Sequence, residues 1–451
     1  MNRFEKVLLT IFFIEVFVGG GGRLIDFGIL SIRQVLFLLL ILVYLFRLIK
    51  EKAVFNREIN TFFRLNPVTI GVYLLLGWFV VSSVIGVLHG HSLGAIVTDF
   101  LRVSYFIVYF PLAYYISKER FSLERIITLL KYSALAVALF TIIISLIGKT
   151  IVPAPDDFKP YYDFLNRVFT GDLFFRPSHS VFYKSHFFVL VGLVVALNDL
   201  FNKSKSKLSI AIVIFASISV LWSETRGFLL AFMLSVLMII VLDIKVLVDP
   251  IKGMARKIQK LFHNKQFIKK FAILVMVFVA VPFLYKYMTL ERFEVVKVDP
   301  SANVQPGTEP GEQETEVNDI SVNHRIEFIT ASKDILVHPV NLVFGTGYGT
   351  EIAGRVNGIE MSFLDILVEQ GLIGLGIWGF LFLIVYFNYY FAYKKGHHLS
   401  TLDVSLLAVF MGVLLLTNIN PFINNPIGMS FFLVLLIVSQ QKKELKNEVL
   451  R

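Results

Sequence analysis

Runs of mostly apolar residues recur along the whole chain, and about twelve of them reach the roughly 17 to 25 residues that cross a hydrocarbon core of about 30 Å. They fall at residues 5–20, 30–48, 68–88, 99–116, 126–147, 181–201, 208–223, 228–248, 271–288, 372–393, 402–418 and 426–440. Polar connectors separate them, most of them short. The pattern predicts an all-α polytopic membrane bundle of about twelve transmembrane helices. It divides into N-terminal helices over 1–160, central helices over 161–288, a large outward loop over 289–371 carrying short helices, and C-terminal helices over 372–451.

Composition agrees. Of 451 residues 56% are hydrophobic and 17% charged, against about 25% charged in a soluble domain, and 45 Phe and 17 Tyr are spread throughout. With no Cys, disulfides, thiolate metal sites, iron–sulfur clusters and cysteine nucleophiles are excluded. The net charge of +10 takes its meaning from its distribution. With the N-terminus placed in the cytoplasm, inward segments carry 26 Lys and Arg and outward segments 11, so the positive-inside rule places both termini in the cytoplasm. The basic run from Lys252 to Lys270 then reads as a topology signal and anionic-lipid contact; no nucleic-acid partner is expected. Gly19 to Gly22 followed by Arg23 is a poor cleavage site, so the first span is expected to be retained.

Two outward loops, 149–180 and 289–361, exceed what a connector needs. Residues 299–319, DPSANVQPGTEPGEQETEVND, are expected to be a disordered insert. HRIEFITASKDILV after it has helical apolar spacing and leads into GTGYG at 345–349, which lacks the Lys-Ser/Thr of a phosphate loop.

Charged groups near membrane spans are costly and therefore candidates for function. Asp99 and Arg102, three apart, are expected to pair with each other. Arg226 lies in a short outward turn, WSETRGF, as an interfacial anchor or a ligand-binding cation, with Glu224 able to neutralise it. Arg325 opens the ordered part of the large loop beside His324. Around FFRPSHSVFYKSHF, Arg176, His179 and Lys184 could line a polar cavity. No set of three or four convergent ligands stands out, so no metal and no other cofactor is expected.

Three of these pieces resemble the O-antigen ligase and polymerase superfamily of bacterial surface-glycan enzymes. SETRG at 223–227 is similar to that family's Ser-x-Ser-Arg-Gly turn. HRIEFITASKDILVHPVNLVFGTGYGT, 324–350, resembles its Arg-led loop helix with a following His-Pro and Gly-x-Gly-x-Gly turn. SFLDILVEQGLIGLG, 362–376, resembles its stretch before Gly-x-x-Gly. The likeness covers about residues 160–390, the first 150 matching in hydropathy only. Glu360 and Met361 stand where ligases of the family carry His-Asn, which favours a polymerase.

The resemblance implies a GT-C-like glycosyltransferase architecture in the bacterial cytoplasmic membrane, acting on an undecaprenyl-diphosphate-linked glycan without a nucleotide sugar. A flippase and a chain-length regulator are its implied partners beside membrane lipid. It implies catalytic roles for Arg226, Arg325 and Glu360, with Arg176, His324 and His179 also contacting substrate. Guanidinium forks would bind the departing diphosphate and Glu360 would take the acceptor proton. A ligase with another acceptor, such as lipid A-core, wall polymer or protein, is the nearest alternative. A secondary transporter or flippase is the alternative of another class, disfavoured because the notable cations lie in outward turns rather than on broken helices at the midplane.

Overall fold

The computed structural model describes residues 1–22, 31–117, 120–169, 172–176, 178–202, 206–243, 267–276, 279, 320–396 and 399–448. The expected insert at 299–319, and all but Lys269 and Lys270 of the basic run, lie outside these residues.

The chain is mostly helical. In order run α1 (Arg3–Val18), α2 (Ile32–Lys50), α3 (Pro67–Leu88), α4 (Leu93–Ser104), a 3-10 turn into α5 (Tyr109–Ile116), α6 (Leu123–Thr150), α7 (Pro155–Val168), β1 (Leu173–Phe175), β2 (Val181–Tyr183), α8 (His186–Phe201), α9 (Lys207–Trp222) and α10 (Arg226–Asp243). There follow a loop helix (Ile320–Leu336), a short helix (Pro339–Phe344), a kinked helix (Ser362–Gly396) and two C-terminal helices (Thr401–Leu416 and Pro426–Glu448). Helix starts follow from local chemistry. Asn66 accepts from the Val68 and Thr69 N–H groups ahead of Pro67, and Ser31 and Ser400 form reciprocal caps with Gln34 and Asp403.

Among the described residues, five helices are long and apolar enough to cross a membrane: Ile32–Lys50, Pro67–Leu88, Leu93–Ile116, Leu123–Thr150 and Ser362–Lys394. His186–Phe201, Lys207–Trp222, Arg226–Leu242, Thr401–Leu416 and Pro426–Lys442 are apolar but shorter. A helix of 16 residues rises about 24 Å, below the thickness of the hydrocarbon core, so these depend more on packing against neighbours. Outward faces carry large apolar side chains, among them Leu42, Phe46 and Ile49 on α2 and Leu74, Val84 and Leu88 on α3. Water would penalise such faces and lipid does not.

The interior is aromatic and continuous across the bundle. Trp378 packs on Phe79, Phe106, Phe382 and Phe432, and Phe410 stacks on Phe432 at 5.7 Å. A hairpin interrupts the helices. β1 and β2 pair antiparallel, Phe174 opposite Phe182, and the Tyr183 hydroxyl donates to the Val18 carbonyl at 2.5 Å. The span expected from 181 accordingly begins at His186, because Val181–Tyr183 is strand.

The kinked helix reaches from 362 to 396, where the apolar run alone predicts 372–393. Its break is Gly371, at φ +67°, where a Cβ would strike the Val343 carbonyl. The break releases three carbonyls that an unbroken helix would have used itself. Val368 O accepts from Thr346 N at 2.8 Å, Glu369 O from Gly347 N at 3.0 Å, and Gln370 O from the Trp78 indole at 2.8 Å. GTGYG is therefore a structural insert. Gly345, Gly347 and Gly349 have φ near +80°, and Tyr348 N donates to Ser82 O of α3 at 3.1 Å.

Candidate functional site

A cavity of about 660 Å³ opens among segments far apart in sequence. Gly21 and Arg33 come from the ends of α1 and α2, and Arg102 from α4. Phe174, Arg176, Phe182 and Lys184 come from the hairpin, and Glu224, Thr225, Arg226, Gly227 and Leu230 from the α9–α10 turn. Arg325 comes from the loop helix, Asn357, Gly358 and Glu360 from the segment before the kinked helix, and Asn420, Pro421, Phe422 and Asn425 from the last connector. Six Lys and Arg against two Glu make the wall cationic, which suits an anionic ligand.

Arg226 is the first residue of α10, and Thr225 to Gly227 at that helix start face the cavity. A guanidinium thus sits beside the positive end of an 18-residue helix. Arg176 donates to the Ser223 carbonyl at 3.3 Å and the Thr225 hydroxyl at 3.1 Å, tying the hairpin to the same turn, and lies over the Phe182 ring. Glu224 lies in the left-handed region, φ +49°, and accepts from the Ser178 hydroxyl. Across the cavity Arg325 Nη2 is 4.0 Å from Glu360 Oε2, and Glu360 Oε1 is 3.4 Å from Arg355 Nη1. Arg355 in turn lies 5.1 Å over the Phe328 ring of the loop helix.

Arg176, Arg226, Arg325 and Glu360 thus line one cavity. The two histidines do not. His179, at φ +61°, stacks on Phe158 at 3.9 Å with Nδ1 against the Gly148 carbonyl, because α7 folds back over the hairpin. His324 turns outward to Glu327, 3.1 Å away, one turn along the loop helix. Asp365 is buried behind the wall, accepting from Ile359 N at 3.2 Å and from the Asn424 amide at 2.7 Å.

Sequence reasoning missed three contributors. Arg33 is buried against Glu15 at 3.0 Å yet reaches the cavity. Arg102 does pair with Asp99, at 3.0 Å, but also approaches Glu369 at 3.4 Å and Asp365 at 3.6 Å. The connector NINPFINNP, 418–426, was read only as a link between spans; four Asn in so short a turn were the available signal. Arg33, Arg102 and Lys184 each have carboxylates at their backs, Lys184 lying 2.6 Å from Asp172. Outside the membrane-spanning helices, burial pushes the Tyr183 and Tyr348 phenols above their ordinary range.

No family model matches the chain. It is 27% identical to an O-antigen polymerase of Shigella flexneri in an alignment of 460 residues that covers all of this chain and 99% of that protein. The chain resembles an O-antigen polymerase from end to end. The likeness extends to the first 150 residues, where hydropathy alone had matched. Together with the apolar helices it supports a multi-pass membrane protein of the O-antigen polymerase/ligase-like kind.

Proposed function

We propose that the chain is a polymerase that joins undecaprenyl-diphosphate-linked oligosaccharide units into O-antigen, capsular or exopolysaccharide at the outer face of the bacterial cytoplasmic membrane, both termini being cytoplasmic. The observation that carries this reading is the gathering of Arg176, Arg226, Arg325 and Glu360 on one cationic cavity. The segments that line it are mostly those the charge distribution assigns to the outward side. The full-length likeness to a named polymerase supports polymerisation in general.

In the reaction, the anomeric carbon–oxygen bond to the donor diphosphate breaks and its electron pair leaves with the diphosphate. An acceptor sugar hydroxyl forms the new glycosidic bond and gives its proton to Glu360. One displacement inverts the anomeric centre. Arg226, Arg325 and Arg176 hold the departing diphosphate, whose charge rises as the bond breaks; fixed donors aimed at developing charge lower the barrier most. This division of labour assigns no step to a metal. A flippase that delivers the lipid-linked unit and a chain-length regulator complete the proposed setting.

The test is a reaction of purified protein in liposomes with undecaprenyl-diphosphate repeat units and no nucleotide sugar, resolved on a glycan gel. A ladder is expected. Transfer only to an added lipid or protein acceptor would make the chain a ligase, and an unconsumed donor would favour transport.

A further inference from the structure

We infer that Arg102 is a positioning residue that, with Asp365, fixes the cavity-wall segment Asn357–Glu360 and thereby the place of the Glu360 carboxylate. This rests on the transferase reading above. Two bonds reach the segment from behind and a third holds the carboxylate that makes one of them. Arg102 Nη1 donates to the Asn357 carbonyl at 3.1 Å, Ile359 N donates to Asp365 Oδ1 at 3.2 Å, and Asp365 Oδ2 accepts from Asn424 at 2.7 Å. The backbone between them is in the left-handed region, Asn357 at φ +67° and Gly358 at φ +101°, a conformation that Asn and Gly tolerate and a larger side chain would strain. At Gly358 a Cβ would run into Arg102 Nη1, so the absent side chain is what lets the guanidinium reach the backbone.

The guanidinium is itself fixed. Its other amino group lies 3.0 Å from Asp99, 3.4 Å from Glu369 and 3.6 Å from Asp365. The three carboxylates come from two helices, with Asp99 and Glu369 side chains at most 2% exposed. Asp99 also accepts from Gly349 N at 3.0 Å, which locks α4 to the GTGYG insert. Only a planar fork can face the Asn357 carbonyl with one amino group and the carboxylates with the other; a lysine ammonium cannot.

The test compares Arg102→Lys and Gly358→Ala, alone and with Glu360→Gln, in the full chain with undecaprenyl-diphosphate repeat units as donor. Gly358→Ala leaves every charge in place and is the arm that survives if Arg102→Lys folds poorly. Each single variant is expected to lower kcat by about 10²-fold, the scale of a small misplacement of a reacting group, with KM for the donor within about twofold. In the Glu360→Gln background the same changes should cost less than about twofold more, since residues acting through one group are not additive. Full additivity, or wild-type turnover in both single variants, overturns the inference. Glu360→Gln at wild-type turnover would instead remove the base assignment. Hydrogen exchange over 357–360 then decides the positioning role: faster exchange in Gly358→Ala supports it and unchanged exchange overturns it.

Discussion

Arg325 Nη2 stands 4.0 Å from Glu360 Oε2, so a cation on the loop helix and an acid on the segment leading into the kinked helix face each other across the wall of one cavity. With Arg355 behind it, Glu360 is held between two guanidiniums. Arg325→Ala and Arg226→Ala are each expected to lower turnover by about 10² to 10³-fold, the cost of removing one donor aimed at developing charge. Thermal unfolding in detergent should change little, because both arginines are only partly buried. Retained chain elongation in either variant would sink the diphosphate assignment.

Glu360→Gln keeps the shape of the side chain and removes its capacity to take a proton. Turnover should fall by about 10² to 10⁴-fold while donor affinity holds or rises slightly, as a negative charge leaves the cationic wall. Single-turnover rates and donor binding measured side by side decide between this and a binding role.

Gly371→Ala is expected to destabilise the protein by about 1 to 3 kcal/mol. A side chain there meets the Val343 carbonyl and must adopt a positive φ. A drop in Tm should accompany weaker protection of Thr346 and Gly347, whose N–H groups use the Val368 and Glu369 carbonyls that the break releases. An unchanged Tm would mean the helix can straighten without loss.

Tyr348 carries a buried hydroxyl without a hydrogen-bond partner among the described residues, and burial, reinforced by Glu369, raises its pKa well above the usual 10. The unfolded phenol ionises near pH 10 and the folded one does not. Its neutral form therefore costs nothing below pH 10, and stability falls as pH rises past that value. Tyr348→Phe removes both liabilities. It should unfold at the same or a higher temperature at neutral pH, by up to about 1 kcal/mol, and lose less stability between pH 10 and 11. A loss of stability at neutral pH would show that the hydroxyl has a partner in solution.

The helices were readable because apolar runs announce themselves by length, Arg226 because it sits at a polar turn just before Gly227, and Arg325 because it opens a helix-patterned stretch after a long polar one. What escaped was set by distance in the chain. Arg102 looked complete with Asp99 three residues away; Glu369, 267 residues on, cannot be seen from either local pattern. Arg33 gave no local signal for the same reason, its partner Glu15 lying on another helix. The hairpin strands are three residues each, too short for an alternation to register. His179 and His324 were attractive by type, but ring stacking on Phe158 and a neighbouring Glu327 occupy them elsewhere.

The seating of Gly345–Gly349 between α3 and the kinked helix also bears on the order in which the protein is made. Its anchors are Ser82 and His91 on one side and Val368 and Glu369 on the other, and Asp365 behind the wall is held by Asn424. Ser82 and Glu369 leave the ribosome 287 residues apart, so the insert cannot seat until the kinked helix has entered the bilayer beside α3, and Asp365 waits longer still for Asn424. The cavity wall is then among the last parts of the molecule to form, and a chain stalled before the C-terminal helices would sit in the membrane with its earlier helices inserted and its cavity incomplete, lacking Asn420 to Asn425.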